Sequence, residues 1–167
     1  RVALFTGTGD QIIGTNMTVD DVAATASLIR FQTWGMLFNG VSEDRQRSNV
    51  DATLLASAAR TATTSTADQT NWNGRGALIT IDVTAITATP SLVVTVQAKD
   101  ALSGKYVTLL TSAAITAIST VQLAAYPGVT AAANLAVSMI LPRTWRVTVT
   151  AGDADSATYS VGCSVIL

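Results

Sequence analysis

The sequence lacks most of the side chains that perform chemistry in enzymes and metal sites. It has no histidine, one cysteine (Cys163), one glutamate (Glu43) and two lysines (Lys99 and Lys105). Without histidine, Ser-His-Asp and Cys-His nucleophile systems and the commonest zinc ligand are excluded. A single thiol cannot form an intrachain disulfide or a thiolate metal site within one chain. We therefore expect a protein that is not an enzyme, with no catalytic residue, no metal site and no cofactor.

Charged residues are scarce as well. They make up 13% of the 167 residues, about half of the roughly 25% that is usual for soluble domains. The net charge of -1 provides no basic field for nucleic acid. No apolar run reaches the roughly 18 residues of a membrane span, and residues 1–5 lack the apolar region of a signal peptide. We expect no nucleic acid and no membrane among its partners.

Apolar residues are abundant by contrast. They reach 49% of the chain, the mean hydropathy is +0.40, and alanine and threonine together supply roughly a third of the residues. A monomer with so few charges is poorly protected against association. We expect copies of the chain or a larger assembly to cover much of the surface, with chain-chain contacts that bury more than about 1,000 Å².

Four segments of the second half alternate apolar and polar residues. They are 77–84, 92–98, 144–151 and 158–166. A period of two predicts half-buried strands with one face on a core. The residues predicted to be buried are Ile79, Ile81, Val94, Val96, Trp145, Val147, Val149, Val161 and Cys163. In that register Arg146 lies on the face opposite Trp145, as a sheet-surface or interface residue.

Weaker strand candidates at 105–111 and 120–126 join these segments, and 54–62 is a further candidate. Short strands separated by turn residues predict an all-β fold, an antiparallel β-sandwich of jelly-roll or Ig-like topology. The division is an arm or small lobe over 1–50, a connector and loop over 51–76, and the sandwich over 77–167. Within the connector, Trp72 is either a contact residue or a cap on the core. Residues 129–142 are either a helical turn or a crossover between sheets.

Residues 1–50 combine isolated glycines with recurring large apolar side chains. Asn39 and Gly40 favour a tight hairpin turn, and the mixed charges of 43–49 indicate a solvated loop. So apolar a segment is expected to become ordered against a neighbouring chain. The predicted interaction residues are Leu4, Phe5, Ile12, Ile13, Phe31, Trp34 and Phe38.

Two acidic residues, Asp153 and Asp155, offer the remaining chance of a metal site. Clustered carboxylates suit calcium, but the further acidic residues of a recognisable loop are missing here. Turn formation is the favoured interpretation of this pair.

Several phrases of the sequence resemble a family of virion structural proteins of tailed bacteriophages. The resemblance covers about residues 37–167 and rests on the order and spacing of the phrases. They are 44–49 (DRQRSN), 54–63 (LLASAARTAT), 71–76 (NWNGRG), 97–100 (QAKD), 103–106 (SGKY), 141–146 (LPRTWR) and 153–156 (DADS). In such proteins a β-sandwich is typically displayed on the particle and an N-terminal portion docks it.

This resemblance implies a capsid decoration or cement protein at the virion surface, made in the host cytoplasm. The implied partners are the major capsid protein or another virion protein, and further copies of the chain in a homo-oligomer, expected to be a trimer. A tail, baseplate or fibre-associated structural protein is the alternative within the class. A carbohydrate-binding module is the rival from another class, and it requires exposed aromatic side chains in a groove.

Overall fold

The computed structural model describes residues 49–167, together with Val41 and the backbone of 36–38 and 43–45. Twelve strands occur in this part of the chain. They are β1 (Met36–Phe38), β2 (Glu43–Arg45), β3 (Val50–Arg60), β4 (Thr64–Ser65), β5 (Gln69–Thr70), β6 (Gly76–Ile86), β7 (Leu92–Lys99), β8 (Tyr106–Thr111), β9 (Ser119–Ala125), β10 (Ala136–Val137), β11 (Thr144–Ala151) and β12 (Ala157–Ile166). Among these residues no helix occurs, so none is available that could cross a membrane.

The strands form two mostly antiparallel five-stranded sheets and one separate pair. The first sheet has the order β10-β9-β6-β12-β3, and only its β10–β9 pair is parallel. The second sheet has the order β4-β11-β7-β8, with β5 also paired to β11. The strands β1 and β2 pair with each other, with Phe38 opposite Glu43. Asn39 and Gly40, where a turn was predicted, lie outside the described residues. The all-β prediction is confirmed, and the arrangement is compatible with a β-sandwich.

A single apolar core lies between the two sheets. In the second sheet Val147 pairs with Val96 and Val149 with Val94, while in the first sheet Val161 pairs with Ile81. Partners directly opposite one another point to the same face, so each pairing adds to one continuous apolar layer. All nine residues predicted to be buried are buried, Trp145 at 1% and Cys163 at 8% exposure. This confirms the predicted register of β6, β7, β11 and β12.

The segment predicted as a connector supplies strands to both sheets. From residues 51–76, β3 pairs with β12 in the first sheet, and β4 and β5 pair with β11 in the second. Most side chains of β3 are exposed, because this strand is at the sheet edge and its pairing contains two register shifts. When an edge strand is exposed on both faces, its residues do not alternate between buried and exposed positions. Its sequence therefore shows no alternation of apolar and polar residues.

Two further segments contain short strands that the sequence analysis did not predict. Residues 129–142 carry the chain from β9 in the first sheet to β11 in the second, so this connection is the crossover of the two predicted alternatives, and along it β10 pairs parallel to β9. Within 43–49, which was predicted as a loop, the backbone of Glu43–Arg45 is strand β2. In both places the strands are only two or three residues long, too short for a period of two to be recognised.

The sheets bring three strands together on one side of the domain. β8 is the last strand of the second sheet, and it lies beside β9 and β10 of the first sheet. β3 is the last strand at the opposite end of the first sheet. The domain therefore has a β8/β10 side and a β3 edge, and these differ in chemistry.

Candidate functional site

The interaction residues predicted from the sequence fall almost entirely outside the described residues. This applies to Leu4, Phe5, Ile12, Ile13, Phe31 and Trp34. Phe38 is the last residue of β1, where the backbone alone is described. The surfaces that the described residues offer for contact lie on the two-sheet domain.

The acidic pair at the β11–β12 turn holds two loops together. Asp153 accepts hydrogen bonds from the amides of Ser91 and Asp155, and Asp155 accepts one from Thr89. This confirms the turn role predicted for these carboxylates. Across the described part of the chain no group of three or more histidine, cysteine, aspartate or glutamate residues is placed to hold a metal ion.

Cys163 is a buried member of the core. Its side chain points inward from β12, as the alternation predicted, and burial raises the pKa of the thiol. A raised pKa leaves less thiolate at neutral pH, and the thiolate is the reactive form. Cys163 is therefore a small apolar residue of the core in this fold.

A hydrogen-bonded network of polar side chains crosses the outer face of the second sheet. Asp68, in the β4–β5 loop, accepts from Lys99 Nζ at 2.6 Å and from Tyr106 Oη at 2.7 Å. The Arg146 guanidinium stacks on the Tyr106 ring, 3.4 Å from its centroid, and Arg146 Nε donates to Gln97 Oε1 at 2.9 Å. We call these five residues the charged network. It joins a loop and three strands, so it fixes the polar face of this sheet.

The charges in this network stabilise one another. The hydrogen bonds from Lys99 and then Tyr106 lower the pKa of the Asp68 carboxyl, and the hydrogen bond to Asp68 raises the pKa of Lys99. About a third of each of these two side chains remains exposed, 33% for Lys99 and 31% for Asp68. Solvent therefore screens the pair, and its contribution to the free energy of unfolding is small.

Arginines cover the partly exposed aromatic rings. Arg143 lies 3.8 Å from the centroid of the Trp72 ring, and Arg75 lies 5.9 Å from that of Tyr126. The Tyr106 ring carries Arg146 in the same way. Trp72 is 38% exposed at the end of the domain, in contact with this arginine. Cation–π contacts occupy ring faces that a bound sugar would otherwise use.

The β8/β10 side has the opposite character, because charge is absent from its sequence. From Tyr106 to Pro142 the chain runs for 37 residues without Asp, Glu, Lys or Arg. Most of this run is exposed: of the 24 residues in 107–118 and 129–140, only Leu110, Ser112 and Ile115 are buried. We call these two segments the charge-free surface. Its exposed large apolar residues are Val107, Ile118, Leu135, Met139 and Ile140.

The two segments of the charge-free surface meet in space. Residues 108–111 of β8 line one shallow groove together with 131–134, 136 and 137, and residues 113–117 and 133–135 line an adjoining one. Leu135, 52% exposed, and Ile118, 61% exposed, lie at or beside these grooves. The central parts of the two segments therefore form one surface that spans both sheets.

Backbone hydrogen bonds hold the alanine-rich part of this surface in place. The amide of Ala124 donates to the carbonyl of Leu135, and that of Tyr126 donates to Val137. A turn closes between Ala132 and Ala136, and Asn134 takes a positive φ of 63° in it, a conformation that asparagine tolerates better than most residues. The apolar side chains are thus presented on an ordered backbone.

The β3 edge is protected by an arginine. Arg60 donates from one guanidinium nitrogen to the carbonyl of Ala56 and from the other to those of Ala58 and Tyr159. The same guanidinium lies 4.6 Å from the centroid of the Tyr159 ring. Bulges and charged side chains are the usual devices that prevent a strand edge from pairing with another chain.

The charge-free surface can be recognised in the sequence, but not from the alternation that predicts strands. The signal is the uncharged run of residues 106–142, which follows directly on the charged turn Lys99–Lys105. No family model, curated protein or solved structure matched the chain. The surfaces of the two-sheet domain are therefore the basis of the functional proposal.

Proposed function

We propose that this chain is a non-enzymatic structural protein of a bacteriophage virion, and specifically a capsid decoration protein. It oligomerises on the head surface and stabilises the shell. Copies that bridge neighbouring capsomers add buried area and so oppose the outward pressure of packed DNA. Within this proposal the two sheets form a sandwich of jelly-roll or Ig-like topology. The observation that carries the proposal is the charge-free surface, because exposed aliphatic side chains gain free energy when another protein covers them.

A carbohydrate-binding module receives less support from the described residues. Such a module needs open aromatic faces, whereas Trp72, Tyr106 and Tyr126 each have an arginine over the ring. Trp145 and Tyr159 are buried in the core. A decoration role requires none of these rings to be free.

Protein quantification in purified particles tests the proposal. Heads and tails of the phage that encodes the chain are separated on a density gradient, and the chain is quantified by mass spectrometry in each fraction. We expect it in the head fraction, in many copies per head. Detection only with tails would replace this proposal by the tail or baseplate alternative. Absence from both fractions would refute a virion role.

The N-terminal arm is proposed to bind the major capsid protein. The binding partner in this test is a head from which the decoration chain has been removed and the shell left intact. The full chain with Phe5→Ser and Trp34→Ser should bind such heads more weakly than the unmodified chain does. Leu102→Ser is the matched control, because Leu102 is 97% exposed in the β7–β8 turn of the two-sheet domain. Unchanged affinity of the double variant would move the attachment surface onto the sheets.

A further inference from the structure

We infer that the charge-free surface is the docking site for a second copy of this chain. The inference deepens the proposed function, since it assigns a surface to the oligomer that the proposal requires. It rests on three features of that surface: its lack of charge, its size and its ordered backbone.

The lack of charge determines what kind of partner fits. A partner with charged groups would have to bury them against a surface that offers no opposite charge, which is costly. The charge-free surface of a second copy has no charged groups to bury. Contact between the two copies through this surface therefore brings no like charges together. The rest of the described domain carries charges of both signs, such as those of Asp68, Lys99 and Arg60. The charge-free surface of a second copy is thus an uncharged, apolar partner for the same surface of the first.

The size of the surface matches that of a stable interface. A standard interface takes about 20–30 residues from each partner and buries about 800 Å² on each side. The charge-free surface contains 24 residues, of which 21 are at least partly exposed. Five of them are large apolar residues at 43–70% exposure. Two such surfaces in contact would bury their alanine- and threonine-lined grooves together with exposed apolar side chains such as Leu135.

The ordered backbone lowers the entropic cost of association. Leu135 follows the turn at Asn134, and its carbonyl already accepts the amide of Ala124. Interfaces that need little ordering on binding keep more of their contact energy as affinity. The exposed edge of β8 lies within the same surface, so the contact has both apolar side chains and a strand edge available.

The test compares one substitution at two exposed leucines in the full chain. Leu135→Asp places a charge within the charge-free surface, and Leu102→Asp places the same charge in the β7–β8 turn beside Asp100 and Lys105. Sedimentation velocity over a concentration series measures the dissociation constant of self-association. We expect an assembly for the unmodified chain and for Leu102→Asp. Leu135→Asp should weaken self-association roughly 30-fold or more, as changes at interface hot spots do.

A second variant keeps the test decisive if Leu135→Asp fails to fold. The second variant is Ile118→Asp: Ile118 is 61% exposed and lies in the chain between Ala117 and Ser119, which both line the adjoining groove. Circular dichroism with thermal melting verifies the fold of each variant. The inference is overturned if the unmodified chain is a monomer at every concentration. It is also overturned if the unmodified chain associates and the folded Leu135→Asp and Ile118→Asp variants associate with the same dissociation constant. A monomer whose binding to heads is lost in Leu135→Asp would assign the surface to a shell protein instead.

The failure of this inference is distinct from failure of the proposed function. A monomer found on heads refutes self-association through this surface and leaves the decoration role standing. An oligomer that dissociates in Leu135→Asp, but is absent from particles, supports the inference and refutes the virion role.

Discussion

The charged network and the charge-free surface adjoin on one domain, and their solvent-exposed side chains differ in the interactions that they make. In the network, Asp68, Lys99 and Arg146 satisfy one another and their polar neighbours by hydrogen bonds and stacking. On the charge-free surface, Ile118 and Leu135 have more than half of their area exposed. Tyr106 marks the boundary, because it ends the network and begins the uncharged run.

The two surfaces differ in whether their side chains already have interaction partners within the same chain. Each residue of the network already has a partner within the chain, so covering the network with another protein would gain little and would desolvate charges. An exposed aliphatic side chain gains free energy only when something covers it. The charge-free surface is thus the one that benefits from assembly.

The largest expected effect comes from removing the core that supports both surfaces. Trp145 lies under the network on β11 at 1% exposure, and Trp145→Ala should lower the free energy of unfolding by roughly 3–5 kcal/mol. Trp72→Ala is the matched control, with an expected cost of about 1–2 kcal/mol, because Trp72 is 38% exposed. Urea denaturation followed by circular dichroism measures both. Equal losses at the two positions would contradict the assignment of Trp145 to the shared core.

The sequence predicted the register of the strands that are buried on one face, gave only an approximate candidate at 54–62 for β3, and missed β10. In β6, β7, β11 and β12 the alternation follows directly from one buried face, which is why Ile79 and Val147 were placed correctly. β3 has both faces exposed and β10 has two residues, so neither carries a pattern. A period of two determines which face a residue occupies, but it does not determine which strands are neighbours.

The candidate surfaces depend on that neighbour relation. Asp68 meets Lys99 and Tyr106 across separations of 31 and 38 residues, and nothing local in the sequence specifies these contacts. Likewise, the uncharged run is visible in the sequence, but its folding into one surface requires β8 to lie beside β10. The composition predicts association, and the sheet order is the reason why we assign the proposed contact to the charge-free surface.

Breaking the network at its stacked arginine should have the next largest effect. Arg146→Ala removes the contact with Tyr106 and the hydrogen bond to Gln97, at an expected cost of about 1–2 kcal/mol in the free energy of unfolding. Arg146→Lys should recover less than half of this loss, since lysine keeps the charge without the planar stack. Chemical denaturation provides the values. Full rescue by lysine would show that charge alone, not the stacked geometry, holds the network.

Salt separates the two surfaces without any mutation. Self-association through the charge-free surface should change less than about threefold in its dissociation constant between about 0.05 and 1 M NaCl, because it has no charges to screen. Sodium sulfate should strengthen it, since excluded salts favour apolar burial. Sedimentation velocity at each salt concentration measures this. A steep loss of association in NaCl would indicate that charged residues, and therefore another surface, form the contact.

The smallest effect concerns acid stability, and it sharpens the description of the network. Hydrogen bonds from Lys99 and Tyr106 lower the pKa of Asp68 in the folded state. Its contribution to stability is therefore present above the unfolded pKa, near 3.9, and is lost as the pH falls through the lower folded pKa. Asp68→Asn should lower the thermal midpoint slightly at neutral pH and remove this part of the acid loss. In a Lys99→Met background the same substitution should do less at neutral pH, because its first partner is gone. Thermal melts of the four chains between about pH 2 and pH 7 measure this coupling. If Asp68→Asn has the same effect with and without Lys99, the two side chains are not coupled in solution, and the charged face would be held by Arg146 and Gln97 alone.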